Sequence, residues 1–460
     1  MTIPEAAVSL RAGRVSAVEL TRAALDRIRK LTHLNAFITV LEEQALQQAR
    51  ARDEELARGH DRGPLHGIPV AVKDNFCTKG IRTTCGSKIF AQHVPDRDAA
   101  VVERLQAAGA VLVGKTNLHE LAFGITSANP HFGVVRNPWD PERTPGGSSG
   151  GSGAAVAAGM VFLAMGSDTG GSIRIPGAFC GVVGLKPTFG RVSRYGVMPL
   201  DFTLDHMGPL TRTVRDAAIG LTAIAGHDPR DDTSSRRPVD SYLPSESVSL
   251  REVRIGLPEN FYFERVDPEA SAAVRRMASL AESLGARVLP VRVPDIAAIN
   301  TVGRIIVQAE AAALLEPYLN RRSEFGPDVL ALLDQGRLLA ATDYINAQRL
   351  RRLMQAEFRA VWRHADCLFT PTTPTAAPRI GQNTLEFDGA SEDVRLASTR
   401  LVRAVNVLGL PALSLPCGFN REGLPLGLHI IGRPFEEAFL LRVAAALEDA
   451  TDFHSRKPEL

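Results

Sequence analysis

Apolar positions along the chain change period several times. Residues 4–30 and 41–58 carry apolar side chains at helical spacing, as does RDAAVVERLQAAG (97–109), whereas HGIPVAVKDNF (66–76) and AVLVGK (110–115) hold short apolar runs of strand length. GSGAAVAAGMVFLAMG (151–166) predicts a helix of very small residues running into another strand. This alternation predicts an α/β domain with a mostly parallel sheet under helices. HDPRDDTSSRRPVDSYLPSES (227–247), rich in Pro, Ser, Asp and Arg, predicts a linker or long surface loop. Beyond it, VRIGLP (253–258), CLFTPTTP (367–374), ALSLPCGF (412–419) and GLPLGLHIIG (423–432) read as strands, and 268–285 and 339–364 as long helices. No internal repeat is visible, and strands on both sides of the loop fit one sheet or two domains equally well.

Composition narrows the class. With 460 residues, 45% of them hydrophobic, the chain can bury a large core. Its 53 basic and 51 acidic residues leave a formal charge of +2, so charge alone implies no nucleic-acid or membrane-surface partner. No apolar run approaches the roughly 20 residues that span a bilayer, and MTIPEAAVSLRAGRVSAVEL lacks the layout of a secretory signal, so a cytoplasmic protein is expected. Cys77, Cys85, Cys180, Cys367 and Cys417 form no CxxC pair, which predicts reduced, buried thiols and neither disulfides nor a zinc site.

The candidate chemistry lies in two glycine clusters, GGSSGGSGAAVAAG (146–159) and GSDTGGSIRIPGAFCG (166–181), holding Ser148, Ser149, Ser152, Ser167 and Ser172. GGSSG fits the G-x-S-x-G elbow of α/β-hydrolases, which would make Ser148 a nucleophile served by His206, His364 or His429. That elbow needs a strand leading into it, and RNPWDPERTP (136–145) is an irregular, proline-rich loop. GAVLVGKT (109–116) fits a phosphate-cradling loop, but its AVLV is itself strand-like and follows a helix, the reverse of the required order. Lys73, at the end of a buried strand, explains more: a desolvated lysine is held toward neutrality and can take a proton from a hydroxyl. Its alternative is a lysine that snorkels out or pairs with Asp74.

GIPVAVKDNF, the two serine clusters, NPWDPERTPGG, VVGLKPTFGRVSRYG, LDHMGPLTRTVRDAA and NVLGLPALSLPCGF together resemble the amidase signature family of serine hydrolases. The resemblance spans most of the chain and is weakest over 230–400. It implies one large α/β/α domain over 1–460, with a mixed central sheet covered by helices on both faces and a variable region at about 250–400 contributing to the pocket. It also implies a Ser–cis-Ser–Lys triad, with Ser172 as nucleophile, Ser148 as bridging serine after a cis peptide, and Lys73 as base. Backbone N–H groups of Thr169, Gly170, Gly171 and Ser172 would hold the oxyanion, since glycine lets successive donors converge. Asp168 and Arg174 are expected to order the loop, and Cys180 to pack. Phe123, Gly124, Ile125, Thr126 and Gly147 are expected to line the substrate pocket, and neither metal nor organic cofactor is expected.

The sequence also resembles the glutaminase subunits of tRNA-dependent amidotransferases, with two departures. Those subunits hold their amino acid with an arginine after an FG-x-E-V phrase and an acid before N-L-A-G-L-P. Here FGPDVLALL (325–333) is apolar at the first place and Thr399 stands near the second. The expectation is therefore a stand-alone amidohydrolase acting on neutral linear amides, with carbamates or esters as related substrates; the alternative is a glutaminase subunit. The partners expected are a small-molecule amide and at most a second copy of the chain, with no nucleic acid and no membrane.

Overall fold

A computed structural model of the chain describes residues 1–244, 249–387 and 389–460. An 11-stranded sheet runs through it in the order Phe37–Val40, Val111–Thr116, Pro69–Lys73, Leu163–Asp168, His206–Thr211, Val183–Lys186, Ala412–Phe419, Pro425–Gly432, Cys367–Pro371, Arg254–Pro258 and Arg287–Val291. Helices flank this sheet, as the α/β expectation requires. The sheet is mixed, and six of its ten neighbouring pairs are antiparallel, correcting the mostly parallel arrangement that alternation suggests. A fully buried strand reads as the same apolar run in either direction, so the pattern could not separate the two.

Local signals set the helix ends. The stretch 4–30 divides into Ile3–Arg11 and Ala17–Lys30, because Thr2 with Glu5 and Ser16 with Glu19 each build a capping box. The 268–285 helix is Pro268–Ser283, started by Asp267 and a proline in its first turn. The sheet carries strands from both sides of 227–247. The described part of that loop is fastened to the body, with Arg191 Nη1 donating to Arg237 O and Pro238 O and with Tyr242 buried; residues 245–247 lie outside the described residues. Ile296–Glu324 is long and apolar enough to cross a membrane by length and composition, yet Ile299, Val302 and Ile306 are buried in a core cluster with Leu401, Ala404 and Val405. All five cysteines are buried and unpaired.

The helix Gly150–Ala157 is buried along its whole length, which its small residues make possible. A Cβ on Gly151 would lie 2.3 Å from Asn117 O and 2.5 Å from Ala36 O, both backbone atoms unable to swing away. We expect Gly151→Ala to destabilise the protein by about 2–3 kcal/mol through overpacking, despite alanine's better helix propensity. Urea unfolding measures this, and a midpoint no lower than that of the wild type would contradict it.

Candidate active site

Lys73 ends the strand Pro69–Lys73 with no exposed surface. Its Nζ donates to Ser148 Oγ at 2.7 Å and to Ser167 Oγ at 2.8 Å, and Asn75 Nδ2 also donates to Ser167 Oγ at 3.2 Å. Burial drives the Lys73 pKa down to about 7, against the opposing pull of Asp205 and Asp168. Asp74 is not its partner: it lies 3.2 Å from Lys115 Nζ. That lysine belongs to the strand Val111–Thr116 and also donates to Phe76 O and Thr83 Oγ1. GAVLVGKT is thus a buried strand whose lysine is already engaged, not a phosphate loop.

The peptide between Gly147 and Ser148 is cis. The two glycine clusters touch through the Ser149 N–H, which donates to Ser172 O at 3.2 Å. Ser149 and Ser152 give their hydroxyls to the carbonyls of Ser167 and Met165, fastening the small-residue helix to the strand Leu163–Asp168. The structure therefore brings Lys73, Ser148 and Ser167 into direct contact. Ser172 stands on the cavity wall, and no hydrogen bond joins its hydroxyl to Ser148 among the described residues. The three histidines considered for a Ser–His–Asp site go elsewhere. His206 Nδ1 is 2.6 Å from Leu204 O, His429 Nε2 meets Arg174, and His364 is exposed.

The loop before Ser172 is wound around Asp168. This carboxylate accepts from the N–H groups of Gly171 (2.8 Å) and Ile173 (3.0 Å), and from Arg174 Nε (3.0 Å) and Nη2 (2.9 Å). Asn406 Nδ2 donates to it as well, at 2.8 Å. The Arg174 guanidinium keeps the carboxyl far below the usual carboxylate range, against the desolvation that opposes it. The Gly171 N–H is consequently spent on Asp168 and is no oxyanion donor, which corrects the four-donor expectation. Thr169, Gly170 and Ser172 line the cavity, and Gly171 does not. Thr169 also turns its hydroxyl onto Asp205.

The cavity wall is completed by Ala122, Phe123, Gly124, Ile125, Leu200, Gly303, Val307, Arg395, Thr399 and Arg403. Thr126 and Gly147 do not line it. Gly147 packs on the Ile125 and Ser127 backbone, where a Cβ would meet Ile125 C at 2.9 Å, and the Thr126 hydroxyl lies 3.4 Å from His119 Nδ1. Sequence reasoning missed Asn75, Arg395 and Arg403. Arg403 had a signal, as the one charge in LVRAVNVL (401–408), and Arg395 lies just upstream in DVRLASTR (393–400), but nothing local ties either to a serine more than 220 positions earlier. No cluster of three or more His, Cys, Asp or Glu side chains suited to a metal occurs among the described residues.

A desolvated lysine, two serine-bearing glycine loops and a half-apolar cavity over a large mixed sheet define an amide-hydrolysing enzyme. The chain belongs to the Amidase family, whose model matches residues 19–441. It is 43% identical to a glutamyl-tRNA(Gln) amidotransferase subunit of Moorella thermoacetica, over all of this chain and 98% of that one. A solved structure described as "An unexpected vestigial protein complex reveals the evolutionary origins of an s-triazine catabolic enzyme" superposes with a TM-score of 0.94 at 38% identity, covering 100% of both chains. The corresponding glutamyl-tRNA(Gln) amidotransferase subunit of Thermotoga maritima superposes with a TM-score of 0.80 at 37% identity, covering 98% of this chain and 95% of that one.

Full-length relatives at 41–44% identity that share the amidotransferase name overturn two expectations, the stand-alone hydrolase of neutral amides and the absence of any nucleic-acid partner. The physical reason is in the cavity. The neutral pocket was inferred from two missing charges, at 325–333 and at Thr399, and the fold supplies positive charge from Arg395 and Arg403 instead.

Breaking the Asp168–Arg174 pair tests how firmly the loop is held. We expect Arg174→Met to cost about 3–5 kcal/mol, since it strands a buried carboxylate. A loss under about 1 kcal/mol in denaturant unfolding would show that the loop is ordered by something else.

Proposed function

We propose that this chain is the amide-hydrolysing subunit of a tRNA-dependent amidotransferase, releasing ammonia from a carboxamide donor such as glutamine, with Lys73, Ser148 and Ser172 carrying the reaction. The observation that weighs most is Lys73, a buried amine hydrogen-bonded to two serine hydroxyls and brought near neutrality by burial. The names of the full-length relatives supply the assembly and the tRNA. Residues 1–460 act as one amidase domain, in which 250–400 supply the outer wall of the pocket. The cytoplasm, where tRNA is charged, is its place of work.

Neutral Lys73 takes the Ser148 proton as Ser148 Oγ takes that of Ser172, whose hydroxyl turns from the cavity toward Ser148. Ser172 Oγ then bonds to the carbonyl carbon, and the displaced electron pair sits on oxygen, facing the N–H groups of Thr169, Gly170 and Ser172. Collapse breaks the C–N bond, and the proton returns through Ser148 to the nitrogen, which leaves as ammonia for a partner chain. Water, deprotonated by the same route, opens the ester on Ser172 and frees the acid.

Ammonia release from L-glutamine by the full chain, with whatever chains co-purify, tests this. Ser172→Ala and Lys73→Ala should fall to background, and Ser148→Ala by about 10²–10⁴-fold, the worth of a positioned proton transfer. Anilides turned over faster than glutamine by that assembly would sink the reading. Because the active form of Lys73 is unprotonated, kcat/KM should be low under acidic conditions, rise through pH about 7 and level off above it. A profile flat through that range would remove Lys73 as the base.

A further inference from the structure

The cavity in front of Ser172 has positive charge and, among the described residues, no negative charge in its wall. Arg395 and Arg403 line it, and no Asp or Glu does. They come from two short helices, Val394–Arg400 and Arg403–Leu408. The Arg403 stem lies between two glycines: a Cβ on Gly170 would sit 3.4 Å from Arg403 Nε, and one on Gly303 would sit 3.3 Å from Arg403 Cδ. Gly170 belongs to the loop that presents Ser172, so this guanidinium borders the reacting centre.

Nothing among the described residues neutralises Arg403. The charged groups that act on it are Arg304 and Arg395, both repulsive, and these with burial lower its pKa to about 10. Arg395 donates Nη2 to Phe123 O at 3.4 Å and feels Asp328 and Asp393. Both carboxylates are otherwise engaged: Asp328 accepts from His119 Nε2 at 2.8 Å, and Asp393 caps the N–H groups of Arg395 and Leu396. Two like charges held together in a narrow cavity are unfavourable until an anion arrives, and a guanidinium offers a donor fork matched to a carboxylate.

We propose that Arg403, with Arg395 beside it, grips a carboxylate carried by the amide donor, so that the substrate class is a short carboxylic acid bearing a terminal carboxamide. This rests on Ser172 being the nucleophile. The described cavity wall has no acid to receive an α-ammonium group, and Thr399 is the polar side chain near the arginines. The carboxylate is therefore required and the ammonium is not: glutaramate, which is glutamine without its amino group, is as good a donor as glutamine, and butyramide, which lacks the carboxylate, is a poor one.

The test compares kcat/KM for glutamine, glutaramate and butyramide, using the full chain with any co-purifying partner. The expected result is that wild type takes glutaramate at least as well as glutamine and far better than butyramide. Arg403→Gln should lower kcat/KM for both carboxylate substrates about 100-fold, the usual cost of leaving one partner of a charge pair unpaired, and should lower it far less for butyramide. Arg403→Lys should restore part of the loss, and glutarate should inhibit wild type competitively but not Arg403→Gln. Equal losses on butyramide and glutaramate, or wild-type preference for butyramide, would overturn the carboxylate grip. Failure of Ser172→Ala to abolish turnover would instead overturn the reading it rests on. Circular dichroism and the urea midpoint of each variant report that it is folded.

Discussion

Asp168 and Arg174 meet with no exposed side-chain surface on either partner. A buried ion pair is poor evidence of stability, because desolvating two charges offsets most of their attraction. Its value here is geometric: the remaining hydrogen-bonding positions of the two side chains are aimed at different elements. Asp168 draws in the N–H groups of Gly171 and Ile173, which winds the loop carrying Ser172 tightly at the end of its strand. Arg174 reaches Val402 O and Asn406 Oδ1, and Asn406 returns a bond to Asp168. One carboxylate thus places Ser172 and, three residues before Asn406, the cationic wall at Arg403. The same pair selects which backbone donors of the loop are free, since it consumes the N–H of Gly171.

Electrostatic contrast between two neighbouring strands divides structure from chemistry. Lys73 and Lys115 lie at the ends of adjacent parallel strands, both without exposed surface, and burial lowers the pKa of each. Lys115 has Asp74 at 3.2 Å and two oxygen acceptors, so it serves as a buried cross-link. Among the described residues Lys73 Nζ hydrogen-bonds only to hydroxyls, and its carboxylate neighbours Asp205 and Asp168 act from farther away. A lysine with hydroxyl partners can give up its proton without leaving an unpaired carboxylate in the core.

Legibility followed the distance over which each feature is encoded. Strand–helix alternation, the small-residue helix and the strand ending at Lys73 are local patterns, and they stand in the sequence much as they stand in the fold. The phosphate-loop and elbow matches failed for a local reason too, visible beforehand: the flanking elements were of the wrong type. Thr126 and Gly147 were misplaced because adjacency to Ile125 and Ser148 does not say which way the wall faces. The neutral pocket was the larger error. It counted charges at motif positions, whereas a cavity is lined by whatever the fold brings to it, and Arg395 and Arg403 arrive on helices remote in sequence from Ser172.

By itself, then, the sequence determined which groups are available for chemistry, a lysine on a strand too apolar to hydrate it and serines clustered among glycines. Those follow from propensity and desolvation, which act over a few residues. Tertiary structure decided what those groups face. It decided the antiparallel half of the sheet, the commitment of the Gly171 N–H, the pairing of Asp74 with Lys115 rather than Lys73, and the positive charge of the pocket. Each of these depends on how segments separated along the chain are brought together, and its sign depends on geometry that no short stretch of sequence contains.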